Sequence, residues 1–248
     1  MRRFWQWVAV SGCLILIWLL PVSRRGLADV LFSVARLPAT GSMVGWGFEQ
    51  LTPLLPLERV LITDKTAAFN HPRPSWQTHI LIVPRKQVLN VFRLAREDNQ
   101  IFLEDVWRTA HDVFSSQHLD AERYALLVNG GIRQDVKQVH FHLHQPRDPL
   151  LAFDQTTSSI VMQTKDFTVY QLAQQPQLYL VLVPTQTVAP LSKWTELDVQ
   201  QLSSLELPLD ELEQRYALGS RGFSLVIQEA GELERQQLVI WLTAGTLR

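Results

Sequence analysis

The 248-residue chain has one cysteine, Cys13. That excludes an internal disulfide framework and any cysteine-rich metal site. Acidic residues are missing from the start: none precedes Asp29, whereas Arg2, Arg3, Arg24 and Arg25 all lie there. Of the 23 Lys and Arg, 19 therefore remain from residue 26 onward against all 24 Asp and Glu, a net of −5 hidden under a whole-chain charge of −1. A body of that sign is a poor nucleic-acid binder, and none is expected as a partner. Charged residues are scarce at 19%, and 46% of the chain is hydrophobic, so disorder is not its default state. There is no P-loop, no dinucleotide glycine fingerprint and no serine-centred hydrolase elbow.

The mean hydropathy is zero, and much of the apolar excess sits at the N-terminus. Phe4 to Val22 carries no charge and is flanked by arginine pairs. As a helix it would span roughly 28 Å, close to the ~30 Å hydrocarbon core of a bilayer. Trp5, Trp7 and Trp18 lie towards its ends, where indoles favour the interface. Residues 1–25 are therefore expected to form a single-pass membrane anchor, with the body on the outer face. A cleaved secretory signal and a lipoprotein signal around Cys13 are the rival readings. Residues 26–55, with Gly41, Gly45, Gly47 and several prolines, read as a connector that includes a short amphipathic helix.

From Glu58 onward short strand-like runs dominate. Arg59–Thr63 and Thr66–Asn70 flank the turn Asp64-Lys65, and His79–Val83 is a continuous apolar run ended by Pro84. Asp98–Gln117 has helical spacing, with Ile101, Val106, Ala110 and Phe114 on one side. Tyr124–Val128 is broken at Asn129-Gly130-Gly131, and Lys137–Gln145 alternates before Pro146. Strands joined by short turns pair antiparallel, so the class is α+β with an antiparallel sheet.

The second half repeats this order. Val181-Leu182-Val183-Pro184 matches Leu81-Ile82-Val83-Pro84, Phe223–Gln228 matches Tyr124–Asn129, and Gln237–Thr243 matches Gln138–His144. A helical stretch, Asp198–Leu218, lies between them and is expected to break at Pro208. Residues 56–148 and 149–248 thus read as a duplication forming an intramolecular pseudo-dimer, which favours a monomeric chain.

His140-Phe141-His142-Leu143-His144 is the most informative segment. Side chains alternate across a strand, so the three imidazoles share one face and Phe141 and Leu143 face a core. Three histidines on one face fit two chemistries. Neutral imidazoles can hold zinc, with His79 or His71 as a further ligand. Alternatively one imidazole attacks phosphorus while its neighbours fix its tautomer.

The surroundings favour the second chemistry. Ala68-Phe69-Asn70, Pro74 and Thr78-His79-Ile80-Leu81-Ile82-Val83-Pro84-Arg85-Lys86 precede the triad, and Asn129-Gly130-Gly131 lies between. In this order the blocks resemble the histidine-triad (HIT) superfamily of nucleotide hydrolases and transferases. The resemblance covers residues 56–148, the expected catalytic domain. It implies that His142 is the nucleophile toward the α-phosphorus of a nucleotide, forming a nucleotidyl-histidine. It implies that His140 and His144 orient His142 and bind phosphoryl oxygens, and that His79 is a fourth histidine of the site. Asn70 would meet the ribose and Asn129 the phosphate or leaving group. The scheme needs neither metal nor cofactor. Gln138, two residues before the triad, and the anchored two-half layout also resemble CDP-diacylglycerol pyrophosphatases. Gln138 is then a substrate contact, and a nucleotide or nucleotide-lipid such as CDP-diacylglycerol is the substrate. A metal-dependent enzyme using the same histidines and a non-catalytic nucleotide-binding membrane protein are the alternatives.

In the second half the triad positions hold Val239, Trp241 and Thr243, and His79 maps to Tyr179, so that half cannot repeat the chemistry. His71 reads as a solvated loop residue, and His111 and His118 as surface residues.

Overall fold

A computed structural model describes residues 26, 30, 33–36, 41–52, 55–119, 124–145, 153, 157–172, 177–189, 193–230 and 237–245. The expected anchor lies outside them. Among the described residues no helix is long and apolar enough to cross a membrane.

Ten strands form one sheet: β1 (Arg59–Ile62), β2 (Thr66–Asn70), β3 (His79–Pro84), β4 (Ala125–Gly130), β5 (Phe141–His144), β6 (Ser158–Gln163), β7 (Phe167–Leu172), β8 (Leu178–Pro184), β9 (Phe223–Ala230) and β10 (Gln237–Ala244). Their spatial order is β1-β2-β3-β5-β4-β9-β10-β8-β7-β6, and every reported pairing is antiparallel. Counted inward from either edge, the order is the same. β6, β7, β8, β10 and β9 repeat the places of β1, β2, β3, β5 and β4. The two halves meet at one ladder, where Leu126, Leu127, Val128, Asn129 and Gly130 pair with Ile227, Val226, Leu225, Ser224 and Phe223.

The described helices are α1 (Gly41–Gln50), α2 (Val91–Ala95), α3 (Gln100–Ser116), α4 (Glu196–Ser203), α5 (Glu206–Tyr216) and α6 (Leu218–Arg221). The Asn90 side chain accepts from Arg93 N at the start of α2, and Thr195 and Asp198 form a capping box at α4. These caps satisfy backbone donors that a helix start leaves orphaned. In α3 the buried stripe is Leu103, Val106, Trp107, Ala110, Val113 and Phe114, at three- and four-residue spacing. Ile101 was expected on that stripe but is 54% exposed, because it falls off its arc. The second-half helices break at Ser204-Leu205. Pro208 does not break them: it sits in the first turn of α5, where its missing N–H costs no helical bond.

The stripe of α3 packs on one face of the sheet, with Ile80, Ile82, Leu126, Val128, Phe141 and Leu143 from the first half in the same core. Leu225, Ile227, Leu238, Ile240 and Leu242 continue that core across the second half, under α4 and α5. Paired residues share a face, so the register puts His142, Leu81 and Leu127 on the other side. There the second half carries a separate apolar cluster of Phe153, Val181, Val183, Val239 and Trp241. The histidines and this cluster are thus two patches of one sheet face, one polar and one dry.

Candidate active site

Strand β5 delivers His142 and His144 to the sheet face opposite α3, and His140 immediately precedes it. Phe141 and Leu143 are fully buried beneath, which fixes the strand's rotation. β3 supplies His79, paired directly with His144. The closest contact lies between strands: His79 Nε2 and His142 Nδ1 are 2.8 Å apart. His140 Nδ1 lies 2.8 Å from Gln138 O, which accepts its proton and leaves Nε2 with the lone pair. His144 stacks on Trp76, with ring centroids 3.9 Å apart. Neither of its ring nitrogens meets a partner at hydrogen-bond geometry among the described residues. The ring that contacts His142 by hydrogen bond is therefore His79. His140 lies edge-on to His142, with ring centroids 4.9 Å apart.

A neutral imidazole carries one proton, so the His79–His142 contact admits two tautomer pairs. Attack through His142 Nε2 requires the His142 proton on Nδ1, donated to His79 Nε2. His79 Nδ1 then carries a proton that faces the Ser75 backbone N–H at 3.3 Å. In the opposite pair that N–H donates to His79 Nδ1, and His142 Nε2 is protonated and cannot attack. The Ser75 contact is the longer of the two, and the reactive pair requires it to open, because two N–H groups would otherwise face each other.

Two further residues belong to the cluster: His71, expected as a solvated loop residue or a further zinc ligand, and Trp76, which the sequence did not mark. His71 stacks on His79 at 4.0 Å between centroids, and its Nδ1 accepts from Arg73 N at 3.0 Å. Trp76 wedges between His79 and His144. Both sit in the loop between β2 and β3, where no periodicity marks a facing. The signal for His71 was parity: Phe69 pairs with Leu81 on the histidine face, and His71 lies two residues on.

The same parity bears on Asn70, expected to meet the ribose. It pairs with Ile80, on the helix-covered side, so His71 rather than Asn70 is presented beside the histidines. Gln138, expected as a substrate contact, is turned to the backbone. Its side-chain oxygen accepts from Val88 N at 3.2 Å, and its amide donates to Lys86 O at 2.9 Å and Pro84 O at 3.3 Å. It is 1% exposed and spent on backbone, so it fastens the turn after β3 and serves the site through its carbonyl. Asn129 lies on the histidine face, two residues beyond Leu127 and past the Val128–Phe141 pair.

Burial holds all five imidazoles below their usual pKa, and in His142, His79 and His71 the neighbouring rings add to it. His71 is lowered to about 4 and His79 to about 3. A lone pair is thus kept on the rings at neutral pH. Unfolded, these histidines titrate near 6.5, so below that pH the unfolded chain binds protons first. Stability contributed by the neutral cluster is full above pH 6.5 and is lost as pH falls toward the folded values. We expect kcat/KM to stay level as pH drops through 6.5, while the urea midpoint falls between pH 7.5 and pH 5. An activity limb centred at 6.5, with a flat stability profile, would contradict the neutral cluster.

His71, His79 and His142 also offer ring nitrogens within 4.8 Å of one another, the donor set of a metal site. Zinc with ~2.0–2.1 Å bonds keeps tetrahedral ligand atoms about 3.3 Å apart. The 2.8 Å His79–His142 contact is shorter, as a hydrogen bond is.

The comparisons agree with this geometry. Residues 55–148 match the HIT domain family. No curated protein matches the chain. Among solved structures, an ADP-glucose phosphorylase from Arabidopsis thaliana with bound ADP-glucose is 9% identical at a TM-score of 0.54, over 77% of this chain and 76% of that one. A uridylyltransferase is 12% identical at 0.54, over 74% and 77%. At these identities the likeness is one of fold, and it spans both halves of the sheet. A HIT family hydrolase from Legionella pneumophila is 24% identical over 41% of this chain and 91% of its own, at a TM-score of 0.37. The strand that presents His142 and the strand that presents its partner His79 both lie inside residues 55–148, the segment that matches the HIT domain family.

Proposed function

We propose that the protein hydrolyses a nucleotide phosphoanhydride or related phosphoester through a nucleotidyl-histidine at His142. The observation that carries this reading is the 2.8 Å contact between His79 and His142 inside the segment that matches the HIT domain family. His142 Nε2 forms a bond to the α-phosphorus as the bond from phosphorus to the leaving oxygen breaks, and the leaving group takes the electron pair. Water then displaces the imidazole, the nitrogen–phosphorus bond breaks, and a nucleoside monophosphate is released. Two displacements with a labile intermediate replace one difficult step. Neutral His140, with its Nδ1 proton held by Gln138 O, is left an acceptor at Nε2.

The second half serves as the internal counterpart of a dimer partner, with residues 56–148 catalytic and 149–248 degenerate. The mirrored strand order supports this division. The names of the structural neighbours, a phosphorylase with bound ADP-glucose and a uridylyltransferase, support a nucleotide ligand.

The test is a substrate panel of CDP-diacylglycerol, a dinucleoside polyphosphate and a nucleoside phosphoramidate, with rapid acid- and base-quench of the labelled protein. The lipid is included because residues 4–22 read as an anchor. We expect turnover of at least one member and an acid-labile nucleotidyl-protein adduct. Turnover without an adduct, abolished by a chelator, would favour a metal held by His71, His79 and His142 instead.

A further inference from the structure

One row of side chains on the histidine face is polar across the seam between the halves. Asn129 pairs with Ser224, Ser224 with Thr243, and Thr243 with Tyr179. The adjacent row in the second half, Val226, Trp241 and Val181, is apolar. A polar row beside a dry one calls for a reason, because buried hydroxyls must be paired.

The row is tied together by Arg133, which follows β4 in a tight turn. Gly131 makes that turn possible: its φ is +61°, and a Cβ there would come within 2.5 Å of Gly219 O. The turn therefore seats against α6, and the guanidinium reaches back over β9 and β10. Arg133 Nη1 lies 3.2 Å from Ser224 Oγ and 3.3 Å from both Thr243 O and Thr243 Oγ1. Arg133 Nη2 donates to Gly245 O. Ser224 Oγ in turn lies 2.7 Å from Asn129 Oδ1.

Arginine only donates, so Ser224 Oγ accepts from it. The one serine proton then goes to the near acceptor, Asn129 Oδ1. The distance agrees: 2.7 Å is usual for O–H···O, and N–H···O bonds centre near ~2.9 Å. β4 lies between β5 and β9, so the oxygen of the Asn129 amide is committed to the second half. Its NH2 end is left for the histidine side.

We propose that Arg133 and Ser224 are positioning residues that hold Asn129 as a pure hydrogen-bond donor toward the non-bridging oxygens of the phosphoryl group attacked by His142. This rests on the phosphoryl-transfer reading above. The NH2 end is the part of the amide that a phosphoryl oxygen, which only accepts, can use. Among the described residues no carboxylate lies at ion-pair distance from Arg133, so its charge reinforces the polarity of the chain. On this account the half without histidines acts on the chemistry through one serine.

The test uses the full chain, the three-substrate panel, and the variants Ser224→Ala, Ser224→Thr, Asn129→Asp, the double variant Ser224→Ala/Asn129→Asp, and His142→Asn. Ser224→Ala is expected to lower kcat about 10- to 100-fold with little change in KM or melting temperature, because a donor aimed at developing charge acts in the transition state. Ser224→Thr, which keeps the hydroxyl, should restore most of the rate. Asn129→Asp removes the donor and should cost at least as much. The double variant should be no worse than Asn129→Asp alone. Wild-type kcat in Ser224→Ala, or multiplied losses in the double variant, would overturn the relay. Retained turnover in His142→Asn, or no turnover of any panel member by the wild type, would remove the phosphoryl-transfer reading and the relay with it. An inactive His142→Asn beside an unaffected Ser224→Ala would remove the relay alone.

Discussion

The variant His142→Asn is expected to lose roughly four orders of magnitude or more in turnover while folding normally. The size follows from the role. A nucleophile that forms the covalent bond has no substitute in the same place, since His140 is turned to Gln138 O and His144 is stacked against Trp76. Folding should survive because His142 is not part of the core. Its strand is anchored by Phe141 and Leu143, both fully buried on the opposite face. Asn also keeps an amide NH2 that can donate to His79 Nε2, as His142 Nδ1 does in the reactive tautomer pair. The measurement is single-turnover formation of the nucleotidyl adduct, beside circular dichroism and a melting curve. An adduct still formed at the wild-type rate would move the nucleophile elsewhere, with His140 the first residue to test.

Phe223→Ala is the variant with the largest expected cost to stability, about 3–5 kcal/mol. Phe223 is fully buried, and its ring centroid lies 4.9 Å from that of Phe92 in the first half. It also covers Gly130, where an added Cβ would come within 2.1 Å of the ring. One side chain from β9 thus fills the space left by a missing side chain on β4, and its removal opens a cavity at the ladder joining the halves. Because the core is continuous across that ladder, unfolding should remain a single transition at a lower urea midpoint. Tryptophans of both halves, Trp107 and Trp194, report on it, their rings 6.2 Å apart in the same core. Two separate transitions, one for each half, would show that the halves are energetically independent.

The strands and the histidine face were legible because their signals are local. His79–Val83 and Tyr124–Val128 are apolar runs bounded by Pro84 and by Asn129-Gly130, and the alternation at His140–His144 leaves no other facing. The mirrored order of the sheet follows the repeated blocks, Val181–Pro184 and Gln237–Thr243 among them. What was not legible depended on distance or on a single step of register. Asn70 and His71 are neighbours, but a one-residue step moves a side chain to the opposite face of a sheet, and only the pairing with β3 decides between them. Trp76 enters through a loop with no period. Gln138 looked free because its acceptors and donors, at Val88, Lys86 and Pro84, lie some fifty residues away in the chain. Ser224 had no signal of its own: it matters through Asn129 and Arg133.

The ladder between β4 and β9 also sets a timetable. Asn129 and Ser224 are 95 residues apart in the chain. During synthesis at ~5–20 residues per second, β4 waits roughly 5–20 s for the strand that will cover it. Through that interval a nearly complete five-stranded sheet presents a bare edge, with Leu126 and Val128 already committed to its core. An open edge of that kind pairs with any other it meets, including the same edge on a second nascent chain. The rate at which the histidine-free half is made and folded therefore governs how much of the protein reaches the native state.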